Sequence, residues 1–104
     1  MKPLFKSYTM NKTELRYAGQ LELLKRSNQI VDWRFNAIRF RLAEGAYYKP
    51  DFFIVKLDSF EIHETKGFFR EAAKVRIKTA AELYPWFKWY AVQLKKKAWV
   101  YEEF

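Results

Sequence analysis

Residues 50–66, PDFFIVKLDSFEIHETK, decide the fold, because they contain two apolar runs that each carry an acid near one end. Aromatic and β-branched residues predict one strand over residues 47–55 and a second strand over residues 60–66. The polar pair Asp58-Ser59 between them is typical of a short hairpin connection. The two strands are therefore expected to be antiparallel neighbours in one sheet.

Charged side chains of this hairpin fall on faces that are otherwise apolar. Because side chains alternate across a strand, Glu64 and Lys66 share one face of the second strand, whereas His63 and Thr65 point to the other. On the first strand, Asp51 ends a row of apolar side chains. Charges placed in this way need partners, and a divalent cation can accommodate two nearby carboxylates. The pattern predicts a metal centre at Asp51 and Glu64.

The flanking sequence predicts an α/β fold. Apolar spacing favours, in chain order, a helix over residues 12–27, a strand over 30–42 whose apolar phase changes near 36–37, a turn at 43–45, the two hairpin strands, a helix over 70–84, an interior strand over 87–92 and a closing strand over 98–101. We interpret this order, αβββαβ with one extra strand, as a mixed β-sheet flanked by helices. Residues 1–104 are expected to form a single domain.

Composition limits the classes of function. Half of the residues are hydrophobic and 20% are aromatic, which excludes a disordered chain. There are 20 Lys and Arg residues against 12 Asp and Glu, for a formal net charge of +8, which favours a polyanionic partner such as DNA. The chain has no cysteine, no apolar run approaching the roughly 18 residues of a membrane helix, and no apparent secretory signal at its N-terminus. A soluble cytoplasmic protein without a membrane partner is expected.

Residue types at the predicted centre suit phosphodiester hydrolysis. Mg²⁺ prefers oxygen ligands and keeps several waters, so two carboxylates and a main-chain carbonyl suffice to hold it against a phosphate. The metal can polarise the phosphate and lower the pKa of an attacking water. The ammonium group of Lys66 can orient that water or stabilise the developing negative charge. The sequence therefore indicates a metal-dependent nuclease.

Pro50-Asp51 followed by Glu64-Thr65-Lys66 resembles the motif of the PD-(D/E)XK nuclease superfamily, whose restriction-endonuclease-like core has the same αβββαβ order. The resemblance extends over about residues 11–93, and the opening helix is similar to that of small phage-type members, in which an acid on this helix completes the metal site. It implies Mg²⁺- or Mn²⁺-dependent cleavage of DNA, with Glu14 as a third acid and the Thr65 carbonyl as a further ligand.

Glu14 has a second interpretation. Asn11 and Glu14 also have the spacing of a capping box, in which the glutamate reaches back to the main-chain amide at the start of the helix. Glu22 is the rival acid on the same helix. His63 is the only histidine, and the alternation that groups Glu64 with Lys66 predicts a packed or surface role for it rather than a catalytic one.

Arg70, Lys74 and Lys78 stand four residues apart on the second predicted helix, directly after the motif. They form either a solvated helix face or a row that contacts the DNA backbone, and they are candidate DNA-binding residues. Phe68 and Phe69 are core residues or a platform for a base, and no role is assigned to them.

The expected function is a Mg²⁺-dependent DNA endonuclease. A domain of this size has little surface for wrapping DNA, so a symmetric homodimer with two active sites is expected, an arrangement suited to branched DNA such as a Holliday junction. Two alternatives remain: a nucleic-acid-binding module without chemistry, and a nuclease subunit that depends on a phage or host DNA-processing protein.

Overall fold

The computed structural model describes residues 10–104. It contains two helices and seven strands within that range: α1 (Lys12–Arg26), β1 (Asp32–Phe35), β2 (Phe40–Ala43), β3 (Ala46–Tyr48), β4 (Phe52–Val55), β5 (Phe60–Lys66), α2 (Glu71–Leu83), β6 (Lys88–Lys95) and β7 (Ala98–Glu103). The expectation about a secretory signal concerns residues 1–9, which lie outside the described range. Neither described helix is long and apolar enough to cross a membrane.

Five strands form the main sheet in the order β1-β4-β5-β6-β7. All neighbours are antiparallel except β5 and β6, which are parallel and are joined through α2. A parallel pair needs such a crossover, because a tight turn can only reverse the chain. The prediction of an α/β fold with a mixed sheet flanked by helices is confirmed. Both helices, β5 and the start of β7 also lie within two residues of their predicted positions.

Two predicted strands are wrong as single elements. The strand expected over 30–42 is divided into β1 and β2, and the one expected over 47–55 is divided into β3 and β4. The first break coincides with the change of apolar phase and with Asn36, whose φ of 52° is incompatible with a strand. The second falls at Pro50, which has no amide hydrogen to donate to a ladder. Between the breaks, β2 and β3 form a separate two-stranded hairpin.

Helix α1 covers one face of the main sheet, and helix α2 covers the other face together with the β2–β3 hairpin. On one face, α1 buries Tyr17 and Leu21 against Trp33 and Phe52. On the other face, α2 and the β2–β3 hairpin pack over a second core, whose large buried side chains include Phe40, Tyr48, Ile62, Ile77 and Trp89. Successive residues of β5 therefore enter different cores, and polar groups at its carboxyl end are covered from both sides.

The capping box, one of the two interpretations of Glu14 that the sequence left open, is present at the start of α1. The amide of Glu14 donates to Oδ1 of Asn11 over 2.8 Å, and the amide of Asn11 donates to Oε1 of Glu14 over 3.0 Å.

We expect Asn11→Ala to lower the free energy of unfolding by about 1 kcal/mol, because an N-terminal amide of the helix loses its acceptor. Urea denaturation measures the change, with Asn11→Ser as the variant that retains a capping oxygen. A loss of equal size in the serine variant would contradict the capping explanation.

Candidate functional site

Asp51 and Glu64 meet at one end of the β4–β5 pair. Phe52 pairs with His63 in this ladder, so the residue before β4 comes opposite Glu64. The amide of Asp51 donates to Oε1 of Glu64 over 3.0 Å. In return, the amide and the hydroxyl of Thr65 donate to Oδ2 of Asp51 over 2.8 and 3.0 Å. Each carboxylate thus commits one oxygen to a main-chain donor of the other strand.

Both carboxyl groups are buried, with 9% of Asp51 and 7% of Glu64 exposed. Burial and the charge of Glu64 raise the pKa of Asp51 to about 8, although the hydrogen bond from the Thr65 amide acts in the opposite direction. Burial also raises the pKa of Glu64, against the hydrogen bond from the Asp51 amide and the charge of Lys66. Two buried carboxylates that repel each other are stabilised when a proton or a cation binds between them.

Glu14 occupies both positions that the sequence allowed. Its side chain closes the capping box, and it also lies beside Asp51, where its charge and a side-chain hydrogen bond raise the pKa of Asp51 further. Glu22, the rival acid on α1, instead accepts a hydrogen bond from the Trp33 indole over 2.7 Å. The acid beside the centre is therefore Glu14.

Lys66 lies at the exposed end of β5 and lowers the pKa of Glu64 through its positive charge. The structure thus brings together Asp51, Glu64, Thr65, Lys66 and Glu14, the five residues that the sequence assigned to the centre.

Tyr48 is a member of the centre that the sequence did not indicate. It comes from β3 and is 3% exposed, and its hydroxyl has no hydrogen-bond partner of normal geometry among the described residues. Burial raises the pKa of Tyr48, and the charges of Glu64 and Asp51 raise it further. Arg76 of α2 stands 5.8 Å from the Tyr48 ring. The Tyr48 hydroxyl is close enough to Glu64 to interact with it and to lower the pKa of that acid, so Tyr48 is a polar member of the centre.

The centre offers a small number of carboxylates to a metal ion. Among residues 10–104, no three His, Cys, Asp or Glu side chains are arranged as a group that could hold a metal ion. The centre is instead an acidic pair with a third acid beside it. One or two carboxylates, completed by waters and a substrate phosphate, are the usual protein ligands of Mg²⁺, so the residues present fit that ion.

His63 is turned away from the centre, as predicted, and lies in a buried polar network on the α1 face. Its Nδ1 is 2.6 Å from the Tyr17 hydroxyl, and its Nε2 is 2.9 Å from Oε1 of Glu61. Lys56 pairs with the other oxygen of Glu61 over 3.1 Å. Burial lowers the pKa of His63 despite the nearby carboxylate.

We expect His63→Phe to lower the free energy of unfolding by about 1–3 kcal/mol, because Glu61 and the Tyr17 hydroxyl lose a buried partner. Any DNA cleavage activity is expected to remain, since the His63 side chain does not reach Asp51 or Glu64. Urea denaturation and a cleavage assay on the same preparation measure the two effects. A folded variant without activity would show that the network contributes to the reaction.

The three basic residues predicted to form a row on α2, Arg70, Lys74 and Lys78, do not share one environment. Arg70 is exposed before the helix and Lys78 is exposed on it, whereas Lys74 pairs with Glu102 of β7 over 3.0 Å. Arg76 lies on the flank of α2 that faces the hairpin. Sequence spacing did not identify Arg76, because helical periodicity alone does not show which basic flank of α2 faces the hairpin.

Comparison with protein-family models, with curated proteins and with solved structures finds no match for this chain.

Proposed function

We propose that the protein is a metal-dependent DNA endonuclease that hydrolyses phosphodiester bonds with Mg²⁺ or Mn²⁺. The observation that carries the proposal is the buried pair of Asp51 and Glu64, each fixed by a main-chain donor, with Lys66 beside it on the same strand. The resemblance to PD-(D/E)XK nucleases adds support, because β1, β4, β5, α2 and β6 follow α1 in the order of that core once the β2–β3 hairpin is regarded as an excursion.

Each residue has a separate task in the proposed mechanism. Asp51 and Glu64 would hold the cation, with Glu14 and the Thr65 carbonyl as further ligands. The metal ion supplies Lewis acidity toward the phosphate and a bound water of lowered pKa. Thr65 fixes Asp51 through two hydrogen bonds, so that the carboxylate keeps its position without the ion. Lys66 stabilises the negative charge that develops on the phosphate.

The form of the substrate belongs to the proposal as well. Net positive charge favours a nucleic acid and supplies affinity for any sequence. A symmetric homodimer would present two centres to two strands, which suits branched DNA such as a Holliday junction. Action beside a phage or host DNA-processing protein in the cytoplasm is compatible with the same chemistry.

The test is incubation of the purified protein with plasmid, single-stranded and four-way-junction DNA in Mg²⁺, in Mn²⁺ and in EDTA. The proposal predicts cleavage with either metal and none in EDTA. Absence of cleavage with both metals would reject it. Equal cleavage by Asp51→Asn would assign the activity to a contaminant or to another site.

A second candidate is a nucleic-acid-binding module without catalysis. It is favoured by the basic charge together with the lack of a completed three-residue metal group among residues 10–104. It predicts binding that weakens steeply with salt and does not depend on metal.

Metal should change how stability depends on pH. The pKa of Asp51 is near 3.8 unfolded and about 8 folded, so the folded state keeps a proton that the unfolded state has released. This stabilisation is complete below about pH 4 and is lost as the pH rises through 8. We therefore expect the melting temperature in EDTA, relative to that of Asp51→Asn, to fall from pH 5 to pH 8.

A divalent cation should reverse the trend, because it binds the deprotonated carboxylates. At about 100 times its dissociation constant, the ion is expected to add about 2.7 kcal/mol to the free energy of unfolding. Thermal denaturation with Mn²⁺ at both pH values measures this. A pH-independent difference between wild type and Asp51→Asn in EDTA would contradict the raised pKa.

A further inference from the structure

A pocket opens directly beyond the candidate centre, between the end of β5 and the first turns of α2. Its volume is about 280 Å³, close to the lower end of the range of small-ligand sites. Cationic, aromatic and small side chains line it: Lys66, Phe68, Arg70, Ala72, Ala73 and Arg76. Lys66 therefore belongs both to the centre and to this pocket, which we call the Phe68 pocket.

The ring of Phe68 is presented to solvent from an anchored stretch of chain. Phe68 is 71% exposed, whereas its neighbour Phe69 is only 8% exposed and packs in the core beneath α2. One residue earlier, the carbonyl of Gly67 accepts a hydrogen bond of 2.9 Å from the Gln93 side chain. The main chain is fixed on both sides of this exposed ring, so binding a base costs little further conformational entropy and the ring is suited to stacking.

The three cations of the pocket are available to an anion. Within residues 10–104, Lys66, Arg70 and Arg76 form no salt bridge, while Lys74 on the same helix is paired with Glu102. The charge of Lys66 acts on Glu64, and Arg76 stands 5.8 Å from the Tyr48 ring, so neither is bound by a direct ion pair. Unpaired cations around an exposed ring match the two chemical parts of a nucleotide, a phosphate and a flat base.

We propose that the Phe68 pocket binds one nucleotide of a single-stranded stretch, with its base stacked on Phe68 and its phosphates held by Lys66, Arg70 and Arg76. In a duplex, the faces of the bases are covered by their neighbours, so only an unpaired base can stack there. This inference rests on the proposed nuclease function and narrows its substrate to DNA with an unpaired nucleotide beside the cleaved bond, such as a single strand or a flap, in place of a fully paired four-way junction.

The test measures binding in EDTA, where no cleavage occurs, by fluorescence anisotropy. Three labelled probes are compared: an oligothymidine, a phosphodiester chain of equal length without bases, and a blunt duplex. Wild type should bind oligothymidine more tightly than the chain without bases. Phe68→Ala should weaken oligothymidine binding about tenfold, as expected for loss of one stacked base, and leave the other two probes unchanged. Phe68→Tyr keeps a ring and should bind as wild type does.

Trp86→Ala is the matched control, because Trp86 is 77% exposed and lies at the other end of the β5–β6 pair, just before β6. It should bind all probes as wild type does. Unchanged oligothymidine binding by Phe68→Ala overturns the inference, and so does an equal loss on the chain without bases. Cleavage of single-stranded DNA in Mn²⁺ tests the nuclease separately. Cleavage together with unaltered binding by Phe68→Ala rejects the pocket alone, and the expected binding pattern without cleavage rejects the nuclease alone.

Discussion

Asp51→Asn is expected to lose about a thousandfold in the rate of metal-dependent DNA cleavage, yet to unfold at a higher temperature than wild type at pH 8 in EDTA. Loss of a charged ligand removes transition-state stabilisation worth several kcal/mol, and each 1.36 kcal/mol corresponds to a factor of ten. Few substitutions of a buried residue should change activity and stability in opposite directions.

The gain in stability follows from the hydrogen bonds around Asp51. In wild type, the amide and the hydroxyl of Thr65 donate to Oδ2 of Asp51, and an asparagine oxygen can still accept both hydrogen bonds. The new amide group can donate to Glu64 or Glu14, where wild type has a repelling carboxylate. We expect a gain of about 1 kcal/mol, or about 4–8 °C for a domain of this size.

Scanning calorimetry and a plasmid cleavage time course measure the two effects. Asp58→Asn, which changes an exposed aspartate in the turn between β4 and β5, serves as control and should alter neither. If Asp51→Asn cleaves as fast as wild type, Asp51 holds no essential cation. If it is inactive but also much less stable, the residue acts as a structural clamp between the strands.

Lys66→Met is expected to lower the maximal cleavage rate about 100- to 1000-fold, the size of effect seen when a single stabilising donor is removed from a transition state. Methionine keeps most of the length of the side chain and removes only its charge. Stabilisation by Mn²⁺ should persist, because the carboxylates remain. The charge that lowers the pKa of Glu64 disappears, so metal binding should require a higher pH.

Single-turnover cleavage with excess protein separates this chemical effect from weaker DNA binding. Lys88→Met is the control, since Lys88 is an exposed lysine at the opposite end of the β5–β6 pair. A fall in DNA affinity alone, with an unchanged single-turnover rate, would assign Lys66 to binding. A rate within a few-fold of wild type would remove it from the mechanism.

Local periodicity was sufficient to predict much of the centre. Alternation along β5 placed Glu64 with Lys66 and turned His63 away, because the two faces of a strand are fixed by neighbouring residues alone. The spacing of Asn11 and Glu14 likewise predicted a cap that depends only on one helical turn. The roles of these residues in catalysis and metal binding remain predictions.

Distant contacts explain what the sequence did not show. The apolar pattern around Asn36 fits one bent strand as well as two strands. The positive φ of Asn36 and the packing of Phe40 and Tyr48 under α2 divide it into two. Lys74 and Arg76 are equally basic in the sequence. They differ because β7 supplies Glu102 on one side of α2, while the hairpin brings Tyr48 to the other.

The segment that contains the β2–β3 hairpin, residues 37–50, is closed at its base by one hydrogen bond, in which the Asn36 amide donates to the Asp51 carbonyl over 2.8 Å. Since β1 and β4 pair directly at this point, the sheet is continuous whatever the length of the segment that leaves it. The length and the tip of this segment can therefore change without interrupting the sheet, provided that its replacement still fills the core positions of Phe40 and Tyr48. A different hairpin with the same end points would place new side chains beside Asp51 and Glu64 without moving these two acids. The selectivity for substrates would then change while the main sheet stayed the same.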